Sequence, residues 1–169
     1  MLETTSIQTF GGAAAATQRV AVLDDDIRFI RMVERILKAE RIAIQPVTTI
    51  NVDEALRVIA ESRCDAALID VYMYGSALGF TLIEELRRNQ ATAALPIIVT
   101  SSARREIGRR FAFLRQHHCV ILMKPFRLDE LVMLLRDVTA PVQVETPQLA
   151  HVLLTTRQPP TELLPGGTA

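Results

Sequence analysis

The stretch RVAVLDDD, residues 19–26, decides the fold, because an unbroken apolar run ends abruptly in three acids. Short continuous apolar runs are typical of strands in a parallel sheet, which helices cover on both faces. Four later stretches follow the same pattern, at residues 42–47, 65–70, 96–101 and 119–123. The sequence therefore predicts five buried strands, four of which lead directly into polar or charged residues.

Helical patterns separate these strands. Apolar residues such as Ile27, Ile30 and Val33 recur at steps of three, with charged residues between them. Asn51 and Glu54 have the spacing of an N-cap and its capping-box partner. Strands that alternate with helices predict an α/β fold with a parallel sheet and right-handed crossovers. The patterns place the helices over residues 27–39, 51–61, 80–89, 104–116 and 128–138.

The composition limits the classes of function. The chain has 169 residues, and 19 Lys plus Arg residues balance 19 Asp plus Glu residues. A net charge of zero gives no overall electrostatic reason to bind DNA or a membrane. Cys64 and Cys119 form neither a metal-ligand pattern nor a disulfide framework, and no apolar run approaches transmembrane length. We therefore expect a cytoplasmic protein with no membrane segment.

The two ends of the chain differ in composition from its middle. Residues 1–18 are rich in Thr, Ala and Gly, and they predict a flexible leader. Residues 19–138 carry the whole strand and helix pattern, which predicts one domain. Residues 139–169 contain repeated prolines, and we expect this tail to be too short for a DNA-binding or enzymatic output domain. Its apolar residues near Leu149 predict either a disordered segment or one that docks on the domain or a second copy, so a homodimer is possible.

Functional side chains stand at the ends of four predicted strands: Asp24, Asp25, Asp70, Thr100, Ser101 and Lys124. In an open parallel sheet, ligands bind outside the carboxyl ends of the strands. Carboxylates gathered there repel each other by roughly 4 kcal/mol for a pair about 4 Å apart at an effective dielectric near 20. A hard cation such as Mg²⁺ relieves that repulsion. A carboxylate beside a metal and a lysine can itself accept a phosphoryl group.

The motifs VLDDD at 22–26, LID at 68–70, PIIVTS at 96–101 and MKPF at 123–126 together resemble the receiver domain of two-component response regulators. The resemblance covers about residues 19–138. It implies a flavodoxin-like, doubly wound five-stranded parallel sheet in the order 2-1-3-4-5, with helices on both faces. It also implies a stand-alone phosphorelay protein that receives phosphoryl from a sensor histidine kinase or a histidine phosphotransfer protein. The output would be contact with a downstream protein.

The same resemblance implies roles for single residues. Asp70 would be the phospho-acceptor, Asp25 would bind Mg²⁺ or Mn²⁺ directly, and Asp24 would bind it through water. The backbone carbonyl of Tyr72 would be a further metal ligand. Lys124 would pair with the phosphoryl group, before a proline that the family usually holds in a cis bond.

The switch hydroxyl of the family lies five residues after the proline of the fourth strand. That spacing points to Ser101, with the adjacent Thr100 as the alternative. Two positions depart from the family pattern. Met73-Tyr74 replaces the usual Met-Pro in a loop to Gly79 that is one residue longer, and Ile121 replaces the switch aromatic.

Other interpretations of the same residues stay open at the level of sequence. The three acids at 24–26 can cap the first helix, with Asp26 as a solvated acid of its first turn. Asp24 and Asp26 also mimic the start of a haloacid-dehalogenase-like phosphohydrolase. A degenerate receiver would keep the fold and only bind a partner. The arginines of residues 104–115 are either a solvated face or a docking surface for an acidic partner.

Overall fold

The computed structural model describes residues 18–140. Five strands alternate with helices along this part of the chain. The predicted leader lies outside the described residues except at its last position, and the predicted tail lies outside them except at its first two. The elements are β1 Arg19–Leu23, α1 Ile27–Ala39, β2 Ala43–Val47, α2 Val52–Glu61, β3 Ala66–Asp70, α3 Leu78–Arg88, β4 Ile97–Ser101, α4 Arg104–Arg109, α5 Phe111–Gln116, β5 Cys119–Met123 and α6 Leu128–Thr139.

All neighbouring strands are parallel, and the sheet has the order β2-β1-β3-β4-β5. Helices α1 and α6 cover one face, where Val33 and Leu135 are fully buried against β1, β3 and β4. Helices α2 to α5 cover the other face, where Ile59, Ile83 and Leu114 are buried. The doubly wound α/β fold predicted from the sequence is confirmed.

Side chains alternate between the two faces along every strand. On β4, Ile97 and Val99 pack with α2 to α5, whereas Ile98 packs with α1 and α6. The alternation carries Thr100 to the α1–α6 face and Ser101 to the opposite face. The register also sets Asp70 of β3 directly beside Thr100 of β4.

The strand β2 forms one edge of the sheet. Its N-terminal residue, Ala43, donates its backbone N–H to the carbonyl of Gln18, on the β1 side. Pro46 lies in the same strand, is exposed, and pairs in register with Val22. An edge strand is the position in a sheet that tolerates proline.

Two helix starts follow local side-chain chemistry. Asn51 caps α2, and its Oδ1 accepts the N–H of Glu54 at 3.0 Å, as predicted. The Glu54 carboxylate does not complete the capping box, because it accepts the Thr49 hydroxyl at 2.6 Å instead. Asp26 is the N-cap of α1 rather than an acid of its first turn, and it accepts the N–H of Arg28 at 2.9 Å.

The prediction of one helix over residues 104–116 was wrong, because α4 and α5 meet at Arg110. Arg110 has φ −99° and ψ 9°, outside the helical range. Gly108, which weakens a helix, stands just before the break. The guanidinium of Arg110 lies 5.3 Å from the ring centroid of Phe80, which holds the break against the core. No helix within residues 18–140 has the length and apolar character to cross a membrane.

Candidate functional site

The carboxyl ends of β1, β3 and β5 bring three predicted site residues into contact. The ammonium nitrogen of Lys124 lies 2.6 Å from Oδ2 of Asp24 and 2.7 Å from Oδ2 of Asp70. Lys124 follows β5, at the far side of β4 from Asp70, and its long side chain crosses the end of β4 to reach both acids. The sheet order therefore explains how residues distant in the chain share one ion-paired cluster.

Backbone N–H groups fix the remaining oxygens of the acids. Asp24 accepts the N–H of Asp26 at 2.9 Å, and Asp70 accepts the N–H of Tyr72 at 2.9 Å. Asp25 accepts the N–H of Tyr74 at 2.7 Å, so it ties β1 to the loop that follows β3. Charge-assisted bonds of this kind are roughly twice as strong as neutral ones. The carboxylates are thus held in place before any ligand arrives.

Burial makes the charges of this cluster costly. Asp24 is 3% exposed and Asp70 is 8% exposed. Burial raises the pKa of Asp24, although its hydrogen bonds to Lys124 and Asp26 oppose the rise. Burial alone would lower the pKa of Lys124, but its bonds to Asp24 and Asp70 outweigh burial and raise it. Lys124 is therefore a firmly charged ammonium.

The two candidate hydroxyls occupy different surroundings. Ser101 is buried, and its Oγ accepts the N–H of Ala103 at 3.1 Å. Thr100 is fully buried next to Asp70, and its Oγ1 has no hydrogen-bond partner within residues 18–140. A buried hydroxyl without a partner costs about 1–3 kcal/mol. Because side chains alternate along β4, the two hydroxyls lie at the carboxyl edge on opposite faces of the sheet.

The loop after β3 contains a tight turn that replaces the family's Met-Pro. Met73 and Ser76 exchange two backbone hydrogen bonds, of 3.0 and 2.8 Å. Tyr74 and Gly75 between them have φ of 51° and 70°, as a type I′ turn requires. Tyr74 is a rare residue for that conformation. Its N–H is the one that Asp25 accepts, so the turn is anchored at the site.

Gly79 presses the start of α3 against the end of β3. A methyl group at this position would lie 2.5 Å from the Cα of Val71 and 2.7 Å from the carbonyl oxygen of Asp70. Contacts this short leave room only for glycine. The helix α3 is therefore packed directly on the backbone that carries Asp70.

The position of the family's switch aromatic is occupied by Ile121, but other aromatic residues lie near the site. Ile121 of β5 is half-buried against the α2–α5 face. Tyr72 packs edge to face on Phe80 at 5.7 Å, and Phe80 packs on Phe113 at 5.6 Å. On the other face, the ring of Phe29 lies 4.3 Å from the Lys124 ammonium. The sequence did not reveal this contact, because the only signal at position 29 was its place in an amphipathic helix.

The donor atoms at the edge suit a hard divalent cation. The carboxylates of Asp24 and Asp70 meet there at Lys124, Asp25 follows Asp24, and carboxylate oxygens are donors of the kind that Mg²⁺ prefers. The Lys124 ammonium between two of the acids shows that the site accommodates positive charge. Within residues 18–140, no three Asp, Glu, His or Cys side chains are gathered as a finished metal cage. The carboxylates fit the metal by the chemical type of their oxygen atoms, although their side chains are not yet arranged around one point.

Other predicted features lie apart from this cluster. Arg104, Arg105, Arg109, Arg110 and Arg115 are all exposed on α4, α5 and their junction. Asp26, which the phosphohydrolase alternative needs beside Asp24, is paired with Arg28 at 3.2 Å instead. Its carboxylate is exposed, whereas that of Asp24 is buried and bonded to Lys124. The two acids do not form a joint site.

The sheet order, with the acid after β1, the acid of β3 and the lysine after β5 in contact, is the arrangement that the sequence resemblance to a receiver domain implies. Residues 20–136 match the family model of the response regulator receiver domain. The chain belongs to the response regulator receiver domain family. It is thus a receiver of two-component signalling, a class of signalling domains that typically accept a phosphoryl group and bind Mg²⁺ and are not classical enzymes.

Solved structures agree with this assignment. A protein from Chloroflexus aurantiacus J-10-fl, assigned provisionally as a response regulator, is 26% identical with a TM-score of 0.62, and the match covers 73% of this chain and 98% of that one. A sensor protein from Polaromonas sp. JS666 is also 26% identical, with a TM-score of 0.62 and coverage of 72% and 95%. Chemotaxis protein CheY4 of Vibrio cholerae, at 23% identity, a TM-score of 0.60 and coverage of 73% and 99%, supports the fold. No curated protein matches the chain at a significant level.

Proposed function

We propose that this receiver accepts a phosphoryl group on Asp70 from a phosphohistidine of a sensor histidine kinase or a histidine phosphotransfer protein. One observation carries the proposal: the Lys124 ammonium bridges Asp24 and Asp70 at 2.6 and 2.7 Å. Two buried carboxylates held together by one lysine have no advantage for folding, because apolar residues of similar size serve a core at least as well. A carboxylate nucleophile beside a lysine that can pair with phosphoryl oxygens supports phosphoryl transfer to Asp70.

The transfer would form one bond and break another. A carboxylate oxygen of Asp70 attacks the phosphorus, the P–N bond to the donor imidazole breaks, and the imidazole is protonated as it leaves. Lys124 then pairs with a phosphoryl oxygen, so its positive charge follows the negative charge. When bound, Mg²⁺ or Mn²⁺ would neutralise charge on the phosphoryl oxygens. Asp24, Asp25, Asp70 and the Tyr72 carbonyl are the residues proposed to hold it.

The phosphorylated state would be read by the hydroxyls at the end of β4. Ser101 would exchange its bond to the Ala103 N–H for a contact with a phosphoryl oxygen, which pulls on the start of α4. Thr100 remains the alternative, since its hydroxyl is free of any described partner beside Asp70. The added charge of about −1.5 to −2 would bias the α4–α5 region between two states.

The output is proposed to be contact with a downstream protein, and a homodimer is one possible form of it. Residues 18–140 fold as the receiver, and the proposal gives this unit the contact surface. We propose that the phosphoryl transfer takes place in the cytoplasm, in keeping with the two unpaired cysteines.

Labelling with a small phosphodonor tests the proposal. The full chain, incubated with acetyl phosphate and Mg²⁺, should gain the mass of one phosphoryl group, in a linkage that is stable to acid and labile to base. Asp70→Ala should abolish the gain, whereas Asp137→Ala, which removes an exposed acid of α6, should leave it unchanged. Equal labelling of Asp70→Ala would refute the proposal. A chain that binds Mg²⁺ but never labels would be a degenerate receiver and would refute it too.

A further inference from the structure

The ring of Phe29 forms a third contact of the Lys124 ammonium. The ammonium nitrogen lies 4.3 Å from the ring centroid, within the distance of about 6 Å at which a cation is attracted to an aromatic face. Phe29 belongs to α1, and it is half-buried on the α1–α6 face of the sheet. The ring therefore lies against the same ammonium that Asp24 and Asp70 bind.

The protein holds this ring in a fixed orientation. Phe126, two residues after Lys124, packs edge to face on it, with 6.0 Å between centroids and an interplanar angle of 86°. The Asp26 cap sets where α1 begins, and Ile30, the next residue after Phe29, is buried in the core. The helix start and the contact with Phe126 therefore restrict the orientation in which Phe29 presents its face to the lysine.

The three partners of Lys124 differ in what else they do. Asp70 is the proposed phospho-acceptor, and Asp24 is a proposed metal ligand, so both carboxylates have a second task in the same reaction. Phe29 has none within the described residues. The lysine stem is flexible, with about 2 kcal/mol of rotamer entropy to restrict. The ring is thus the one contact that stays with the ammonium when its bonds to the carboxylates are exchanged for bonds to the phosphoryl group.

We infer that Phe29 is a positioning residue for phosphoryl transfer, because its aromatic face keeps the Lys124 ammonium at Asp70 while the ionic partners of the lysine change. This inference rests on the proposed function. A cation on an aromatic face is attracted by the electron density of the ring, not only by its shape. Fluorine atoms on the ring withdraw that density and change its size little, so they separate the two effects.

The test replaces Phe29 by mono-, di- and trifluorinated phenylalanine in the full chain and measures the initial rate of labelling by acetyl phosphate. The rate should fall stepwise with each fluorine, to a total loss between about twofold and thirtyfold, the range that cation–π energies convert to. Phe29→Leu should show the full loss. The same replacements at Phe113, which packs on Phe80 at the opposite face of the sheet, should leave the rate unchanged.

A spectroscopic measurement completes the test without using activity. Lys38 and Lys124 are the two lysines of the sequence, so a chain with ¹³C-labelled lysine gives two sets of side-chain signals. The ring current of Phe29 should shift the ε-methylene signal of Lys124 away from that of exposed Lys38, and Phe29→Leu should remove the shift. Mg²⁺ affinity of the unphosphorylated Phe29→Leu chain should not decrease, whereas a distorted site would bind the metal more weakly.

The outcomes separate the two proposals. A wild-type chain that does not label would overturn the proposed function. A wild-type chain that labels, with a rate indifferent to fluorination at Phe29, would overturn the positioning role alone. Equal losses at Phe29 and Phe113, or weaker Mg²⁺ binding by Phe29→Leu, would show a packing effect and would also overturn it.

Discussion

The two edges of the same sheet carry unfavourable features of different kinds. At the carboxyl edge, buried charges, an unpaired hydroxyl and a tyrosine with positive φ lie together around Asp70. At the amino edge, Arg41, Arg63 and His118 also have positive φ, but each stands alone after a helix. At the carboxyl edge, Lys124 joins the two buried acids through its hydrogen bonds, and the Tyr74 turn is bonded to Asp25, the neighbour of Asp24, whereas the features of the amino edge are local.

Satisfied bonds at the amino edge make the contrast sharper. The half-buried guanidinium of Arg87 donates to the carbonyl of His117 at 2.9 Å, of Leu95 at 2.8 Å and of Ala93 at 3.2 Å. It fastens the connections before β4 and β5. A single unfavourable feature, such as a residue with positive φ, therefore does not indicate a functional site in this molecule. Several unfavourable features gathered at one place do.

The largest expected effect concerns the close packing at the carboxyl edge. Gly79→Ala should lower the free energy of unfolding by about 3 kcal/mol or more, because its methyl group would meet backbone atoms of Val71 and Asp70. Gly108→Ala is the matched control, since nothing lies within 4 Å of its added methyl group. It should raise stability by about 0.5–1 kcal/mol. Urea unfolding measures both, and equal effects would show that α3 can shift away from β3.

The second effect concerns the amino edge. Arg87→Met should cost about 2 kcal/mol, because it removes donors from three carbonyls while the aliphatic volume is retained. Its exposed neighbour Arg88, whose ion pairs within the described residues are with acids of its own helix, should cost less than about 0.5 kcal/mol on the same change. The phosphorylation rate per folded molecule should be unchanged in both. A loss of rate in Arg87→Met would mean that the edges are coupled.

The third effect compares positive φ at the two edges. Arg41→Gly should raise stability by about 1 kcal/mol, because Arg41 has φ 61° after α1 and glycine adopts that conformation freely. Labelling should not change. Tyr74→Gly relieves the same kind of strain but loosens the turn that Asp25 anchors, so labelling should slow severalfold. Thermal unfolding and acetyl phosphate kinetics distinguish the two variants. An unchanged labelling rate in Tyr74→Gly would show that the turn does not contribute to the site.

The last effect concerns reactivity, in the thiols of the amino edge. Burial raises the pKa of Cys64 and of Cys119 to about 11. At pH 8 the thiolate fraction should therefore be about a hundredfold lower than in the unfolded chain, and alkylation by iodoacetamide should be correspondingly slow. Because the folded pKa is raised, the stability contributed by the protonated thiols is present below pH 9 and is lost as the pH rises toward 11. Fast alkylation of the native chain would show that this edge opens readily.

Much of the architecture could be predicted from sequence, because each strand is a short apolar run and four of the five lead directly into polar or charged residues. Asp24, Asp70 and Lys124 were placed together on the rule that parallel strands share one carboxyl edge. The break at Arg110 was missed, because helical periodicity continues through it and only tertiary contact with Phe80 reveals it. The contact of Phe29 with Lys124 and the close approach of Gly79 depend on the distances between elements, which a linear pattern does not contain.

The proline of β2 has a consequence for how copies of the protein meet. Ala43 donates its N–H toward β1, and residues of a strand point their amides alternately to either side, so Ile44 and Pro46 face outward. Pro46 has no N–H to offer, and one of the two outward donors of this strand is therefore missing. A foreign strand that lies along this border finds an interrupted row of donors. Pro46 therefore disfavours the pairing of another chain along β2, and with it the growth of the sheet into fibrils or mismatched assemblies.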